Sequence, residues 1–274
     1  MSLNSNNPYY KTIKYVPQNE DERLFLDEYD SSRYDKPSVT ADIVVFTIDE
    51  NNNLCVLLIK RGGYPYKDKW AIPGGFVGID ESVDDAARRE LNEETNILNL
   101  PLEQFGTFGD YDRDPRMRVI SVAYMSFVRK NSLVAKAGDD AQEVQIFRIE
   151  QKENGLSFIG DDEILNEDDL AFDHAKVIGT AIQRIRNRID YTNDAFKLLK
   201  NDQSFTIYEV KKIFETIKCV TLDTANFRRD FIRKYVDTNI VSETNQTSTE
   251  NSKRAAMVYC YNKSGKGDET KYYS

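Results

Sequence analysis

The sequence predicts an α+β fold in three parts: an N-terminal arm (residues 1–37), an α/β/α sandwich on a mixed sheet (38–190), and a smaller helix–turn–helix–hairpin domain (191–274). Two observations predict it. Between Asp42 and Arg188 the pattern runs strands, helix, strands and then a long helix, an order that layers helices on a mixed sheet. After about Asp190 the charge balance changes sign. Residues 192–274 hold 14 Lys and Arg against 11 Asp and Glu, whereas the residues before them hold 23 against 35.

The arm is polar and tyrosine-rich, with one short helix expected near Glu22 to Tyr29. A hairpin follows: DIVVFTID from Asp42, a turn at Glu50 to Asn53, and LCVLLIK from Leu54. A helix is expected from about Ser82 to Thr95. Strands are expected at Phe105 to Gly109, Val119 to Val128 and Val144 to Ile149, and a long helix from Asp173 to Arg188.

Bulk properties narrow the function classes. The 274 residues are 40% hydrophobic and 30% charged, normal for a globular chain. A formal net charge of −9 argues against a nucleic-acid coat or a membrane-surface protein as a whole-chain reading. No apolar run approaches the length of a membrane span, and the N-terminus lacks a signal-peptide core, so a cytoplasmic location is expected. Cys55, Cys219 and Cys260 lie far apart, without metal-ligand spacing, and read as thiols of a reducing compartment. The single histidine, His174, excludes any mechanism that needs a histidine pair and reads as structural. Trp70 reads as core.

The helix after Ser82 is the informative segment. Ser82 with Asp85 resembles a capping box, and Asn96 tolerates the left-handed turn that ends helices. At 100° per residue Val83, Ala86 and Ala87 share the inward face. Glu90 and Glu94 continue that face and Glu93 sits at its edge. Buried carboxylates are costly unless paired or bound to metal. Arg89 can pair with Glu93, but one arginine cannot neutralise three glutamates. A hard divalent cation with oxygen ligands resolves the conflict, and Mg²⁺ fits carboxylates plus phosphate oxygens, with Mn²⁺ the alternative.

The stretch GFVGIDESVDDAARRELNEETNI, Gly75 to Ile97, is similar to the Nudix box, G-x5-E-x7-R-E-U-x-E-E-x-G-U with U aliphatic. Every defining position matches except Asn96, which stands where the box has its last glycine. The resemblance implies a Nudix α/β/α sandwich that cleaves a nucleoside diphosphate linked to another group. It makes Glu90, Glu93 and Glu94 metal ligands, with the Gly75 carbonyl adding one more. It makes Glu81 a supporting acid and Arg89 the residue that orients the glutamates. The general base is then sought outside the box, among Asp139, Asp140 and Glu143 of AGDDAQEVQIF, with Glu81 still open. Arg61, Arg113 and Arg116 are the substrate-binding candidates, two of them in the loop Asp112 to Arg116, since arginine suits phosphate and ribose. The surrounding stretches KRGGYPYKDKWAIPGGFV and GDYDRDPRMRVISVAYMSF resemble the branch that contains ADP-ribose pyrophosphatases and Nudix-related transcriptional regulators. ADP-ribose, a nucleoside diphosphate-sugar, is therefore the implied ligand and a homodimer the implied assembly.

In the back third, Thr206 with Glu209 opens an amphipathic helix, FTIYEVKKIFETI. A second helix, LDTANFRRDFIRKYV, follows a short turn and carries Arg228, Arg229, Arg233 and Lys234. A polar loop then leads to the strand RAAMVYCYN, with Lys253 and Arg254 where a wing would be. Helix, turn, helix and hairpin is the winged-helix order, which suits double-stranded DNA. A net +3 is modest for that role. A small packing or dimerising domain is the competing reading.

Overall fold

Burial on both faces explains why the first strand reads as a continuous apolar run. In Ser38–Ile48 (β1), Ala41, Ile43 and Val45 pack with Ala86, Ala87 and Leu91 of the helix Val83–Thr95. The alternate residues Val44 and Phe46 pack with Trp70 and Phe147 and with the long helix His174–Arg188. The chain is seen in a computed structural model that describes residues 9–129, 141–153, 155–250 and 255–262. It folds as two compact units, 1–37 and 38–274.

The first unit holds α1 (Tyr9–Thr12) and α2 (Glu20–Glu28). The helix expected from Glu22 starts at Glu20 because the Asn19 side chain accepts the Glu22 N–H at 2.9 Å. Asp27 ties the two helices by accepting from Tyr10 at 2.7 Å and pairing with Lys11 at 2.9 Å.

The second unit is built on a sheet of β1, β2 (Leu54–Arg61), β3 (Trp70–Ala71), β4 (Gly74–Phe76), β5 (Glu103–Phe108), β6 (Val119–Phe127), β7 (Ala141–Lys152), β8 (Gly155–Ile159) and β9 (Ile164–Asn166). The order is β5-β6-β1-β2-β7-β8-β9, with β3 on β2 and β4 on β1. β1 and β6 are parallel and the other neighbours antiparallel, so the sheet is mixed. The helices α3 (Val83–Thr95) and α4 (His174–Arg188) complete the α/β/α sandwich. The strands β3, β4, β8 and β9 carry no sequence signal, because runs of two to five residues are too short to display a period.

α4 buries Val177, Ile178, Ala181, Ile182 and Ile185, a helical spacing, and its core continues into the back third through Phe196, Phe205, Phe214, Phe231 and Tyr259. Arg186 of α4 donates Nε–H to the Ile217 carbonyl at 2.8 Å. There α5 (Asp194–Lys197), α6 (Ile207–Lys218) and α7 (Thr224–Phe231) precede an antiparallel hairpin of β10 (Val241–Ser248) and β11 (Ala256–Tyr261). This is a winged helix. Thr206 and Glu209 form the expected capping box. Backbone bonds between Phe205 and Tyr259, 3.0 and 2.7 Å, tie the hairpin to the entry of α6. The stretch after Ser242, expected as a polar loop, is strand β10 instead. Most of its side chains are solvated, so it shows no apolar alternation, and pairing with β11 supplies what holds it.

Candidate active site

Two glycines let the chain approach α3. Gly74 has φ +154°, and a Cβ there would lie 2.4 Å from the Ala41 carbonyl oxygen. At Gly75 a Cβ would lie 2.5 Å from the Glu90 carboxylate. Backbone and carboxylate thus share a space that any side chain would fill. Ser82 caps α3 by accepting the Asp85 N–H at 3.1 Å, and Asn96 ends it at φ +56° with its N–H on Asn92. The left-handed residue that replaces the box glycine is therefore an asparagine in the conformation expected of it.

Arg89 is the hub of the acids. It donates to Glu81 at 2.7 and 3.1 Å, to Glu90 at 2.7 Å, to Glu93 at 2.9 Å and to the Phe76 carbonyl at 3.1 Å. Glu94 is 7% exposed and accepts the Gly74 N–H at 2.8 Å. Burial raises the Glu90 carboxyl above its ordinary range, against the pull of Arg89. Glu81 is lowered, chiefly by Arg89 and also by the Gly78 N–H.

A cleft of about 640 Å³ opens beside these groups. Gly75, Glu90 and Glu94 line it together with Arg61, Arg113 and Arg116. Glu81, Glu93 and Glu143 do not line it. Glu81 is held by the loop and Arg89. Glu93 stays half exposed on Arg89, so the three glutamates of α3 are not gathered in advance into one ligand set. Glu143 stands opposite Lys60 across β2 and β7, its carboxylate 3.8 Å from that ammonium. Asp139 and Asp140 lie outside the described residues.

The three arginines differ. Arg113 is buried, bonding Asp42 at 3.1 Å and Asp173 at 2.6 Å, which commits much of its fork to holding the cleft floor. Arg116 is bidentate on Asp114, 3.1 and 2.8 Å. Arg61 gives its Nε–H to the Pro65 carbonyl at 3.0 Å. Sequence reasoning missed Thr40, Asp42 and Phe172, which line the cleft, and Asp173, which holds Arg113. A carboxylate heading a buried strand was a visible signal for Asp42. Nothing local marked the other three.

His174 is fully buried, and its Nδ1 accepts the Ile72 N–H at 3.1 Å, so the ring is neutral. Burial holds its pKa below the ordinary 6.5. The unfolded chain then binds the extra proton first, and stability falls as pH drops below about 6.5, by up to about 1.4 kcal/mol per unit. Thermal melts from pH 7 to 5.5 check this. His174→Gln is expected to flatten the slope, and an unchanged slope would exclude His174 as its source. Trp70 is core, packed edge-on against Phe147 with Nε1–H on Glu163 at 3.0 Å.

In the winged helix, Arg228, Arg229 and Arg233 are exposed, and Arg233 pairs with Asp230 at 3.1 Å. Phe227, Phe231 and Tyr235 occupy the buried side. Lys234, which the sequence placed with the basic face, is half-buried and bonds the Asp190 carbonyl. Lys253 and Arg254 lie outside the described residues.

A family profile for the NUDIX domain matches residues 37–165, and one for the NrtR DNA-binding winged helix domain matches 195–261. A relative from Acinetobacter baylyi, described as an ADPR responsive transcriptional repressor NtrR, is 33% identical over 240 residues, 87% of each chain. The chain is a Nudix protein with an NrtR-type winged helix. The Nudix part is 37% identical over 145 residues to an ADP-ribose pyrophosphatase from Methanocaldococcus jannaschii, over 53% of this chain and 73% of that one. Among solved structures, a MutT/nudix family protein from Enterococcus faecalis superposes with a TM-score of 0.75 at 28% identity, over 96% and 100% of the two chains. Shewanella oneidensis NrtR complexed with a 27mer DNA superposes at 0.60 with 25% identity, over 82% and 93%. Nudix hydrolases work with divalent metal ions, and the donors here fit one: they are all oxygen, and Glu90 is a desolvated carboxylate against a glycine backbone. Among the described residues no helix is long and apolar enough to cross a membrane.

Proposed function

We propose that the chain is a Mg²⁺-dependent Nudix pyrophosphohydrolase that cleaves ADP-ribose to AMP and ribose 5-phosphate. The observation that carries this is one cleft lined by two of the four box acids, Glu90 and Glu94, and by Arg61, Arg113 and Arg116. The pyrophosphatase relative supports the substrate. Glu90, Glu94, Glu93 and the Gly75 carbonyl would hold the cation. When bound, it supplies neutralisation of the diphosphate and a more acidic water. Arg89 keeps Glu90 and Glu93 in place, and Arg61 and Arg116 meet the anion. Arg113 serves the site by fixing Asp42 and Asp173. The proton from water goes to an acid of the Asp139–Asp140 segment, since Glu81 is committed to Arg89 and Gly78 and Glu143 faces Lys60. The test is release of AMP and ribose 5-phosphate in equal amounts, with Glu93→Gln as control. Zero turnover of ADP-ribose and of a panel of nucleoside diphosphate derivatives, with Mg²⁺ or Mn²⁺, rejects it.

The winged helix and the repressor relative favour a second role, an ADP-ribose-responsive regulator acting as a homodimer on double-stranded DNA. Arg228, Arg229 and Arg233 would meet phosphate or base edges, with Lys253 and Arg254 at the wing. The two roles are compatible in a sensor that consumes its ligand. Arg228→Ala with Arg229→Ala is expected to weaken operator binding across sequences and to reduce the log–log salt slope of the homodimer by about 3.6, about 0.9 for each phosphate that two arginines on each of two protomers no longer neutralise. No DNA binding at low salt, with Arg228→Ala and Arg229→Ala changing nothing, would leave the packing-domain reading.

A further inference from the structure

Phe172 directly precedes the turn into α4 and has φ +52°, a region bulky side chains rarely adopt. Its neighbours hold it there. The Ala171 N–H bonds the Trp70 carbonyl at 2.7 Å, and the His174 N–H returns to Ala171 at 3.2 Å. Such conformations persist where the surroundings over-determine them, and they collect at functional sites. The Phe172 side chain lines the cleft, with Tyr66 packed edge-on at 4.8 Å and the His174 ring at 5.3 Å. Both less committed arginines lie against it. The guanidinium carbon of Arg61 is 5.0 Å from the ring centroid, and that of Arg116 is 5.7 Å away, with Phe76 at 5.0 Å on Arg116 as well. Arg61 makes no ion pair among the described residues, and burial pushes its pKa down. Glu94 is its strongest charged neighbour, yet among the described residues no carboxylate takes a hydrogen bond from its terminal N–H groups, so a desolvated guanidinium stacked on a ring keeps them for an anionic ligand.

We infer that Phe172 is a positioning residue: its ring holds Arg61 and Arg116 so that their N–H edges meet the diphosphate of the ligand. This rests on reading the cleft as the ADP-ribose site. Leucine would keep bulk but lose the π face. Phe172→Leu is therefore expected to raise the Kd of metal-free protein for ADP-ribose, measured by calorimetry, and the KM about tenfold, with kcat within about twofold. Phe172→Tyr keeps a face and is expected to restore both constants. If Phe172→Leu melts below the assay temperature, Arg61→Lys tests the same contact, because an ammonium keeps the charge without the planar stack. It too should raise Kd and KM about tenfold. Wild-type constants in Phe172→Leu, or in Arg61→Lys where that stands in, overturn the inference while the site reading survives. Equal losses in Phe172→Leu and Phe172→Tyr also overturn it. If the wild type itself does not bind ADP-ribose, the site reading falls, and this inference with it.

Discussion

Glu94→Gln is expected to lower kcat for ADP-ribose by at least about a hundredfold while the protein melts close to wild type. The charge is what the substitution removes. Glutamine keeps the size of the side chain, and its amide oxygen can still accept the Gly74 N–H that Glu94 accepts at 2.8 Å. The loop that brings Gly75 against Glu90 therefore stays in place. A bound divalent cation would contribute several kcal/mol of charge stabilisation at the reacting phosphate, and each 1.36 kcal/mol is a factor of ten, so a loss of two decades with one of its ligands corresponds to about 2.7 kcal/mol of that. Steady-state kinetics with a melting curve separate the cases. Unchanged kcat would reduce Glu94 to a loop support.

Arg113→Ala acts on stability before it acts on the ligand. Its guanidinium is the cation between Asp42 and Asp173, and all three side chains are largely buried. Removing it leaves two carboxylates in low dielectric without their partner, a cost of about 3–5 kcal/mol. For a unit of this size each kcal/mol moves the midpoint by about 2–4 °C, so a fall of about 6–20 °C is expected. Arg113→Met combined with Asp42→Asn removes the cation with one of its anions and is expected to recover part of the loss. If Arg113→Ala melted as wild type but bound ADP-ribose poorly, the arginine would be a ligand contact after all.

The segment from Ser82 to Asn96 was legible because every level agreed. The cap, the apolar face, the left-handed terminus and the Arg89–Glu93 spacing are local rules, and the structure has each of them. The capping box at Thr206 and Glu209 was legible for the same reason. What escaped was long-range. Asp173 and Asp42 are separated by more than a hundred residues and meet only through Arg113. Phe172 matters through a backbone angle that its own neighbours do not announce. Lys234 looked like part of a basic face, but the π-helical stretch Ile232–Val236 that continues α7 carries it to the Asp190 carbonyl. β10 was hidden because a solvated wing strand needs no apolar alternation.

The proposal that the cleft between α3 and the arginines takes a nucleoside diphosphate-sugar is tested most directly by a crystal structure of Glu93→Gln with ADP-ribose and Mg²⁺, a variant chosen to slow turnover. The expected result is diphosphate density in the cleft, within reach of Arg61 and facing Gly75, Glu90 and Glu94. A ligand bound elsewhere, or an empty cleft at saturating ADP-ribose, would contradict it.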